Sequence, residues 1–294
     1  MSLQGDRTMA VEINDAELQR LLDEDVRYGD LTTSALGIGE RRGHITFAAR
    51  GALTLCGVEE AARLLELCGC DCGPAMARGT AVPDGTLLLT AQGSAAALHR
   101  GWKTAQTLVE YASGIAAAAA AIVAAANARK DAAGNPLYGP AVVCTRKNFP
   151  GTRALAMLAI RAGGASPHRL GLSETLLVFA EHRVFLPGEL GLHLARLKRN
   201  HPEKKVMVEV SDRAEALAAA LAGADIVQLE KFTPEQCAAV AFAFAELPRR
   251  PLLAAGGGVD AGNAAAYAAA GADVLVTSAP YFAAPAQVQV RIGA

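Results

Sequence analysis

From Ala141 to Thr277 the sequence keeps a regular beat of short apolar runs and amphipathic stretches. Strand-like runs fall at Ala141–Thr145, Leu176–Ala180, Val206–Val210, Ile226–Glu230, Leu252–Ala255 and Val274–Thr277. Helix-like stretches at Arg153–Ala162, Leu190–Arg199, Arg213–Leu221, Pro234–Ala245 and Ala261–Ala270 separate them. Strands alternating with helices in this way imply successive right-handed βαβ units and a parallel sheet. No dinucleotide fingerprint opens the first unit, so the pattern predicts a six-stranded α/β barrel, complete or partly open, rather than a doubly wound sheet.

The preceding segment is mixed. Asp15–Asp25 reads as a helix behind an Asn14/Asp15 cap, with Leu18, Leu21 and Leu22 at helical spacing. His44–Ala49 and Thr86–Ala91 read as strands, separated by a Val58–Cys68 helix and a turn at Pro83-Asp84-Gly85. Ala95–Ala128 reads as two helices broken near Ser113-Gly114. Met1–Thr8 carries no structural weight, because Met9 is an equally natural start.

Composition excludes several classes. At 294 residues the chain is about two average domains long, and 52% hydrophobic with 19% charged residues is ordinary for a globular protein. The 28 basic and 29 acidic side chains leave a net charge of −1, without the electrostatic footprint of a nucleic-acid binder. The longest apolar run, Ile115–Ala126, is mostly alanine and too short to span a bilayer, and Met1–Ala10 lacks the apolar region of a signal peptide. The six cysteines include Cys68, Cys70 and Cys72 at every second residue, a spacing that suits alternation along a strand or turn better than zinc ligation. Reduced thiols and a cytoplasmic location are expected.

In barrels of this kind the C-terminal strand ends carry the chemistry. Here they read Thr145-Arg146-Lys147, Glu181-His182, Glu209 on the third strand, Glu230-Lys231, Gly256-Gly257-Gly258 and Thr277-Ser278-Ala279. Glycines let the backbone approach an anion, and a helix near Asp260 would add free N–H groups, so the last two ends read as a phosphate cradle or, alternatively, a plain tight turn. Glu209 and Glu230 offer hard oxygens to Mg²⁺ or sugar hydroxyls, or are ordinary ion-paired glutamates. Arg146-Lys147 suit a carboxylate or phosphate. Lys147 also admits a reading as the Schiff-base lysine of a barrel aldolase.

The segment Thr145-Arg-Lys-Asn-Phe-Pro-Gly-Thr-Arg153 resembles the nicotinate-nucleotide pyrophosphorylase (quinolinate phosphoribosyltransferase) family. Glu24–Thr33, Ser113–Ala116, Arg161–Arg169, Gly171–Ser173, Val208–Val210, Gly223–Asp225 and Ala254–Gly258 match in the same order. The resemblance implies an N-terminal α/β sandwich domain over residues 1–113, with 281–294 returning to it, and a partly open six-stranded barrel over 114–280. It also implies a homodimer with shared active sites, acting on phosphoribosyl pyrophosphate with Mg²⁺ and no nucleic-acid or membrane partner. By position, Arg146, His168 and Arg169 would hold the acceptor's carboxylates, with Lys103 offered across the dimer. Lys147 would face pyrophosphate, Glu209 and Glu230 would orient ribose and Mg²⁺, and Gly256, Gly257, Gly258 and Ser278 would seat the 5′-phosphate.

The departures fall on one half of that site. Phe179 stands where the quinolinate enzymes carry a lysine, Glu230-Lys231 replaces Asp-Asn, and Trp102-Lys103 replaces Glu-Arg. Ala254 replaces an acidic residue and Phe282 a histidine. The ribose and phosphate half is kept and the acceptor half rebuilt, with Phe179, His182 and Lys231 as secondary candidates. This pattern resembles the ModD branch, named for an association with molybdate transport. The expectation is a Mg²⁺-dependent phosphoribosyltransferase acting on an anionic or heteroaromatic acceptor. Quinolinate itself, in NAD biosynthesis, is one alternative, and a non-catalytic anion or nucleotide sensor another.

Overall fold

The computed structural model describes residues 13–128 and 137–294. The N-terminal residues whose start and signal content were read above lie outside the described range. The chain begins with helices α1 (Asp15–Val26) and α2 (Leu31–Ala35), then β1 (Arg42–Arg50), β2 (Leu53–Thr54) and α3 (Val58–Leu67). Short strands β3 (Asp71–Cys72) and β4 (Ala81–Val82) lead to β5 (Leu87–Ser94) and the long helix α4 (Ala95–Ala126). The alternating part runs β6 (Ala141–Cys144), α5 (Arg153–Ala162), β7 (Ser166–Pro167), β8 (Leu176–Val178), α6 (Ala180–Arg183) and α7 (Leu190–Asn200). It continues through β9 (Val206–Val210), α8 (Arg213–Leu221), β10 (Ile226–Glu230), α9 (Pro234–Ala245), β11 (Leu252–Gly256), α10 (Ala264–Ala269) and β12 (Val274–Thr277), and ends in β13 (Gln287–Gly293).

Two compact units result. The first gathers the chain up to Ala120 with Phe149–Gly164 and Tyr281–Ala294, and the second holds Ala121–Asn148 and Ala165–Pro280. Helix α5 therefore clusters with the first unit, although sequence order alone groups it with the alternating strands.

In the first unit an antiparallel sheet is ordered β13-β1-β5-β3. Period-2 alternation along β1 turns Ile45, Phe47 and Ala49 to one face. There they share a core with Leu18 and Leu22 of α1, Leu64 and Leu65 of α3, and Leu98, Leu108 and Val109 of α4. Helix α1 starts as its sequence predicts, with the Asn14 side chain accepting from Glu17 N at 3.0 Å and Glu17 bonding back.

Helix α4 corrects the expected break. It runs unbroken for 32 residues through Ser113-Gly114. Ser113 is fully buried, and its hydroxyl accepts from Cys56 N at 3.0 Å and donates to Cys56 O at 3.1 Å. Gly114 is required by packing, since a Cβ there would lie 2.4 Å from Ala284 O and 3.0 Å from Pro285 Cα. On an open helix face Gly→Ala stabilises by roughly 1 kcal/mol. Gly114→Ala is expected to reverse that sign and cost about 1–3 kcal/mol of overpacking, read as a lower denaturant midpoint. Helix α4 is long and apolar enough to cross a membrane by length and composition. Its Leu98, Ala105, Leu108 and Val109 are instead committed to the core.

In the second unit seven strands pair in parallel in the order β7-β6-β12-β11-β10-β9-β8. The six expected strands are all present, and β7 is a seventh, two residues long and invisible to periodicity. Strands β7 and β8 are opposite edges of the sheet, yet Arg169, just past β7, lies 5.5 Å from the ring of Phe179, just past β8. The sheet curls until side chains from its two edges meet, leaving a partly open barrel.

Three local expectations shift. Strand β8 stops at Val178, and Glu181-His182 sit on the short helix α6. Helix α10 starts at Ala264, not Ala261. Cys68, Cys70 and Cys72 enter a turn and the two-residue β3, and all six cysteines are free. Burial pushes Cys56, Cys72 and Cys144 up to about 12, so these thiols stay protonated.

Candidate active site

Period-2 alternation decides what the barrel turns inward. On β9, Val206, Val208 and Val210 are buried while Glu209 occupies the other face. Strand register sets Gln228 of β10 beside Glu209 and beside Ala254 of β11, and Glu230 beside Gly256. The inward residues at the C-terminal ends line a cleft of about 550 Å³, with Arg146, Lys147, Arg169, Glu181, Glu209 and Glu230 supplying its charge.

The two poles of the barrel differ. At the N-terminal pole charges are paired: Asp225 bonds Lys198 at 2.7 Å and Arg249 at 2.6 Å, and Asp273 bonds Arg250 at 2.9 Å. At the C-terminal pole Arg146, Lys147, Arg169, Glu181, Glu209 and Glu230 form no ion pair among the described residues. Unpaired charges of both signs around one concavity mark a site that a charged ligand completes.

The cationic side is built by β6 and β7. Pairing of β7 with β6, extended by His168 N donating to Cys144 O at 2.8 Å, carries His168 and Arg169 to the mouth beside Arg146. Burial, then repulsion from Arg169 and Arg146, pushes His168 below its ordinary value, so it is neutral near pH 7. Arg169 is only 8% exposed, and burial and Arg146 lower it too. Arginine starts so high that it keeps its charge.

On the acidic side, burial and the neighbouring Glu230 push Glu209 above the usual carboxylate range. Gln228 opposes this by donating Nε2 to Glu209 Oε2 at 2.6 Å. Gln228 is 4% exposed, and its Oε1 is buried without a partner among the described residues. A polar residue in mid-strand Ile-Val-Gln-Leu-Glu was the available signal for it, and sequence reasoning passed it over. Leu177, Glu181, Thr145 and Val276 also line the cleft without having been proposed as site residues.

The glycine end forms differently from expectation. The N–H groups after Asp260 are already used, because its Oδ1 accepts from Gly262 N at 2.8 Å and Asn263 N at 3.2 Å. Gly256, Gly257, Gly258 and Ser278 line the cleft at this end, and the N–H groups of Gly262 and Asn263 are not open to a ligand there. Ser278 Oγ lies 2.8 Å from Thr145 Oγ1, which ties the ends of β12 and β6 together.

Of the residues expected at the site, the cleft gathers Arg146, Lys147, His168, Arg169, Phe179, Glu209, Glu230, the three glycines and Ser278. Lys103 is not among its lining; it is exposed on α4, bonds Gln106 at 3.0 Å and lies 4.1 Å over the Trp102 ring. His182 stands behind the lining, stacked on Phe179 at 5.7 Å with its Nδ1 accepting from Phe179 N. Lys231 borders Gly257 at φ 62°, the one non-glycine residue with positive φ among the described residues. No cluster of three or more His, Cys, Asp or Glu side chains suited to a metal occurs among the described residues. Glu209 and Glu230 fit a Mg²⁺ ion that takes its remaining ligands from substrate and water.

The fold and its mouth together define an α/β-barrel protein with a charged cleft at the C-terminal ends of its strands. Comparison with known proteins agrees. Residues 115–288 match the family described as quinolinate phosphoribosyl transferase, C-terminal domain, and residues 30–113 match its N-terminal domain. A Rhodobacter capsulatus protein named "Putative pyrophosphorylase ModD" is 51% identical over 254 residues, covering 86% of this chain and 95% of that protein. The carboxylating nicotinate-nucleotide pyrophosphorylase of Mycobacterium leprae is 34% identical over 270 residues, covering 89% and 90%. The nicotinate-nucleotide pyrophosphorylase structure from Francisella tularensis superposes with a TM-score of 0.84 over 96% of this chain and 98% of that one; at 22% identity it speaks to the fold. The chain belongs to the quinolinate phosphoribosyl transferase family and is an enzyme of the pentosyltransferase type.

Proposed function

We propose that this enzyme transfers phosphoribose from phosphoribosyl pyrophosphate to a ring nitrogen of a small anionic or heteroaromatic acceptor, one other than quinolinate or less strictly defined than it. The observation that carries this reading is the set of unpaired cations and carboxylates facing one cleft beside a glycine-rich strand end. A mere anion sensor has no need of Glu209 and Glu230, which repel a phosphate and each other.

The backbone at Gly256–Gly258 with Ser278 seats the 5′-phosphate, Glu209 and Glu230 orient the ribose hydroxyls and hold Mg²⁺, and Lys147 faces pyrophosphate. As the acceptor nitrogen forms its bond to ribose C1, the C1–O bond breaks and its electron pair leaves with pyrophosphate. Bound Mg²⁺ supplies neutralisation of that leaving group. The chain's own contribution is alignment, holding nitrogen, C1 and leaving oxygen in line. Arg146 and Arg169 hold the acceptor's anionic group through bidentate guanidinium contacts. The proposal includes a cytoplasmic homodimer in which Lys103 of the partner subunit completes the acceptor side. A link to molybdenum utilisation rests on the ModD likeness.

Quinolinate is the second reading, favoured by the convergence of Arg146, His168 and Arg169. Titration calorimetry of phosphoribosyl pyrophosphate with Mg²⁺, repeated with quinolinate present, tests both. The expected result is binding that quinolinate does not strengthen. Strengthening by quinolinate selects the second reading, and absence of binding overturns the transferase.

A further inference from the structure

Charge is divided across the cleft. Arg146, Lys147 and Arg169, with the neutral His168, follow β6 and β7 at one end of the strand order, whereas Glu181, Glu209 and Glu230 belong to β8, β9 and β10 and the turns after them. The two sides meet where the curled sheet brings its edges together, and Phe179 fills that seam. Its ring lies 5.5 Å from the guanidinium carbon of Arg169 and is backed by His182, stacked at 5.7 Å with 17° between planes. Leu177, two residues earlier on β8, also lines the cleft and extends the apolar wall.

Each element of this arrangement limits the ligand. The guanidinium of Arg169 makes a cation–π contact with Phe179, and its N–H donors can still serve an anion. Arg146 is near enough to repel both Arg169 and His168, and one carboxylate between the two guanidinium groups relieves that repulsion. Neutral His168 adds no third positive charge. Two of the surfaces beside that anchor reject a second carboxylate on the same small ring. One is the hydrocarbon of Phe179 and Leu177, where an unpartnered anion is costly. The other presents the carboxylates of Glu181 and Glu209, which line that side of the cleft and repel a further anion.

Building on the transferase reading, we propose that the acceptor is a planar heteroaromatic monocarboxylate, its single carboxylate held between Arg146 and Arg169 and its ring laid against Phe179 and Leu177. Phe179 is then the residue that selects one carboxylate over two.

The test is calorimetric titration of the whole protein, with and without Mg²⁺ and phosphoribosyl pyrophosphate. The probes are pyridine-3-carboxylate, pyrazine-2-carboxylate and pyridine-2,3-dicarboxylate. The monocarboxylates are expected to bind at least about tenfold more tightly than the dicarboxylate, the scale of one aromatic contact combined with one unpaired charge. Phe179→Lys places a cation at the seam and is expected to invert that order. Phe179→Leu keeps the site neutral, and is expected to weaken the monocarboxylates about fivefold without helping the dicarboxylate, which checks the ring should the lysine variant fail to fold. Dicarboxylate binding equal to or tighter than monocarboxylate binding in the unaltered protein overturns the proposal, as does failure of every carboxylate probe to bind. Loss of phosphoribosyl pyrophosphate binding with the monocarboxylate preference intact overturns the transferase reading instead.

Discussion

Glu209→Ala is expected to abolish turnover, by about a thousandfold or more, while the protein remains folded. The scale is that of several kcal/mol of charge stabilisation around the reacting centre. Retention of the fold follows from the geometry: Glu209 has no ion-pair partner among the described residues, and Glu230 repels it. The alanine variant does leave Gln228 Nε2 without its acceptor. Glu209→Gln is the cleaner variant, because an amide oxygen still accepts from Gln228 while the charge is gone. It is expected to be as inactive and at least as thermally stable as the unaltered protein. Folded, active Glu209→Gln in a pyrophosphate-release assay would remove Glu209 from the mechanism.

The same residue sets an acid limb. Glu209 must be ionised to bind metal or ribose hydroxyls, and burial with Glu230 raises its pKa. Activity should therefore climb with pH through a value above the ordinary 4.3 or so of a glutamate. Gln228→Leu removes the hydrogen bond that favours the ionised form, so its limb should move to higher pH.

Gly257→Ala is the second large effect expected, and it reaches both stability and activity. Gly257 has φ 81°, where a side chain costs roughly 1–2 kcal/mol. An added Cβ would lie 2.6 Å from both N and Cγ of Lys231 and 2.8 Å from Glu230 Oε1. Lys231 cannot yield easily, since its N–H donates to Gly256 O at 2.9 Å. The variant should lose about 3 kcal/mol or more, and displacement of Glu230 should cost about a hundredfold in kcat/KM. Two neighbours provide the contrast. Gly258 has φ 115° but nothing within 4 Å of an added Cβ, and Gly256 would make only ordinary contacts at 3.5 Å and beyond. Gly258→Ala should show conformational strain alone, and Gly256→Ala should be nearly neutral for folding. If all three behave alike in chemical denaturation and steady-state kinetics, the close crossing of β10 and β11 at Gly257 is not the cause.

Much of this architecture is legible in the chain itself. Six strands and their helices follow from apolar runs of period 2 alternating with period 3.6, and right-handed crossover then places every strand's C-terminal end at one pole. That alone brings Arg146, Lys147, Glu209, Glu230, the glycines and Ser278 to a common mouth. Capping at Asn14 is equally local, spanning three residues. Ser113-Gly114 misled because the same pair that breaks an exposed helix also permits close packing of a buried one.

Only the tertiary structure decided the rest. A strand as short as β7 has no periodicity of its own, and it exists because β6 offers an open edge, which is how His168 and Arg169 arrive at the cleft. Gln228 holds Glu209 through strand register across 19 residues, and Phe179 meets Arg169 only because the sheet curls until its edges approach. Asp260 consumes N–H groups that a helix start would have left open. Local periodicity specifies which face a side chain takes, whereas pairing register and curvature specify which other side chain it meets there, and specificity for an acceptor depends on the second.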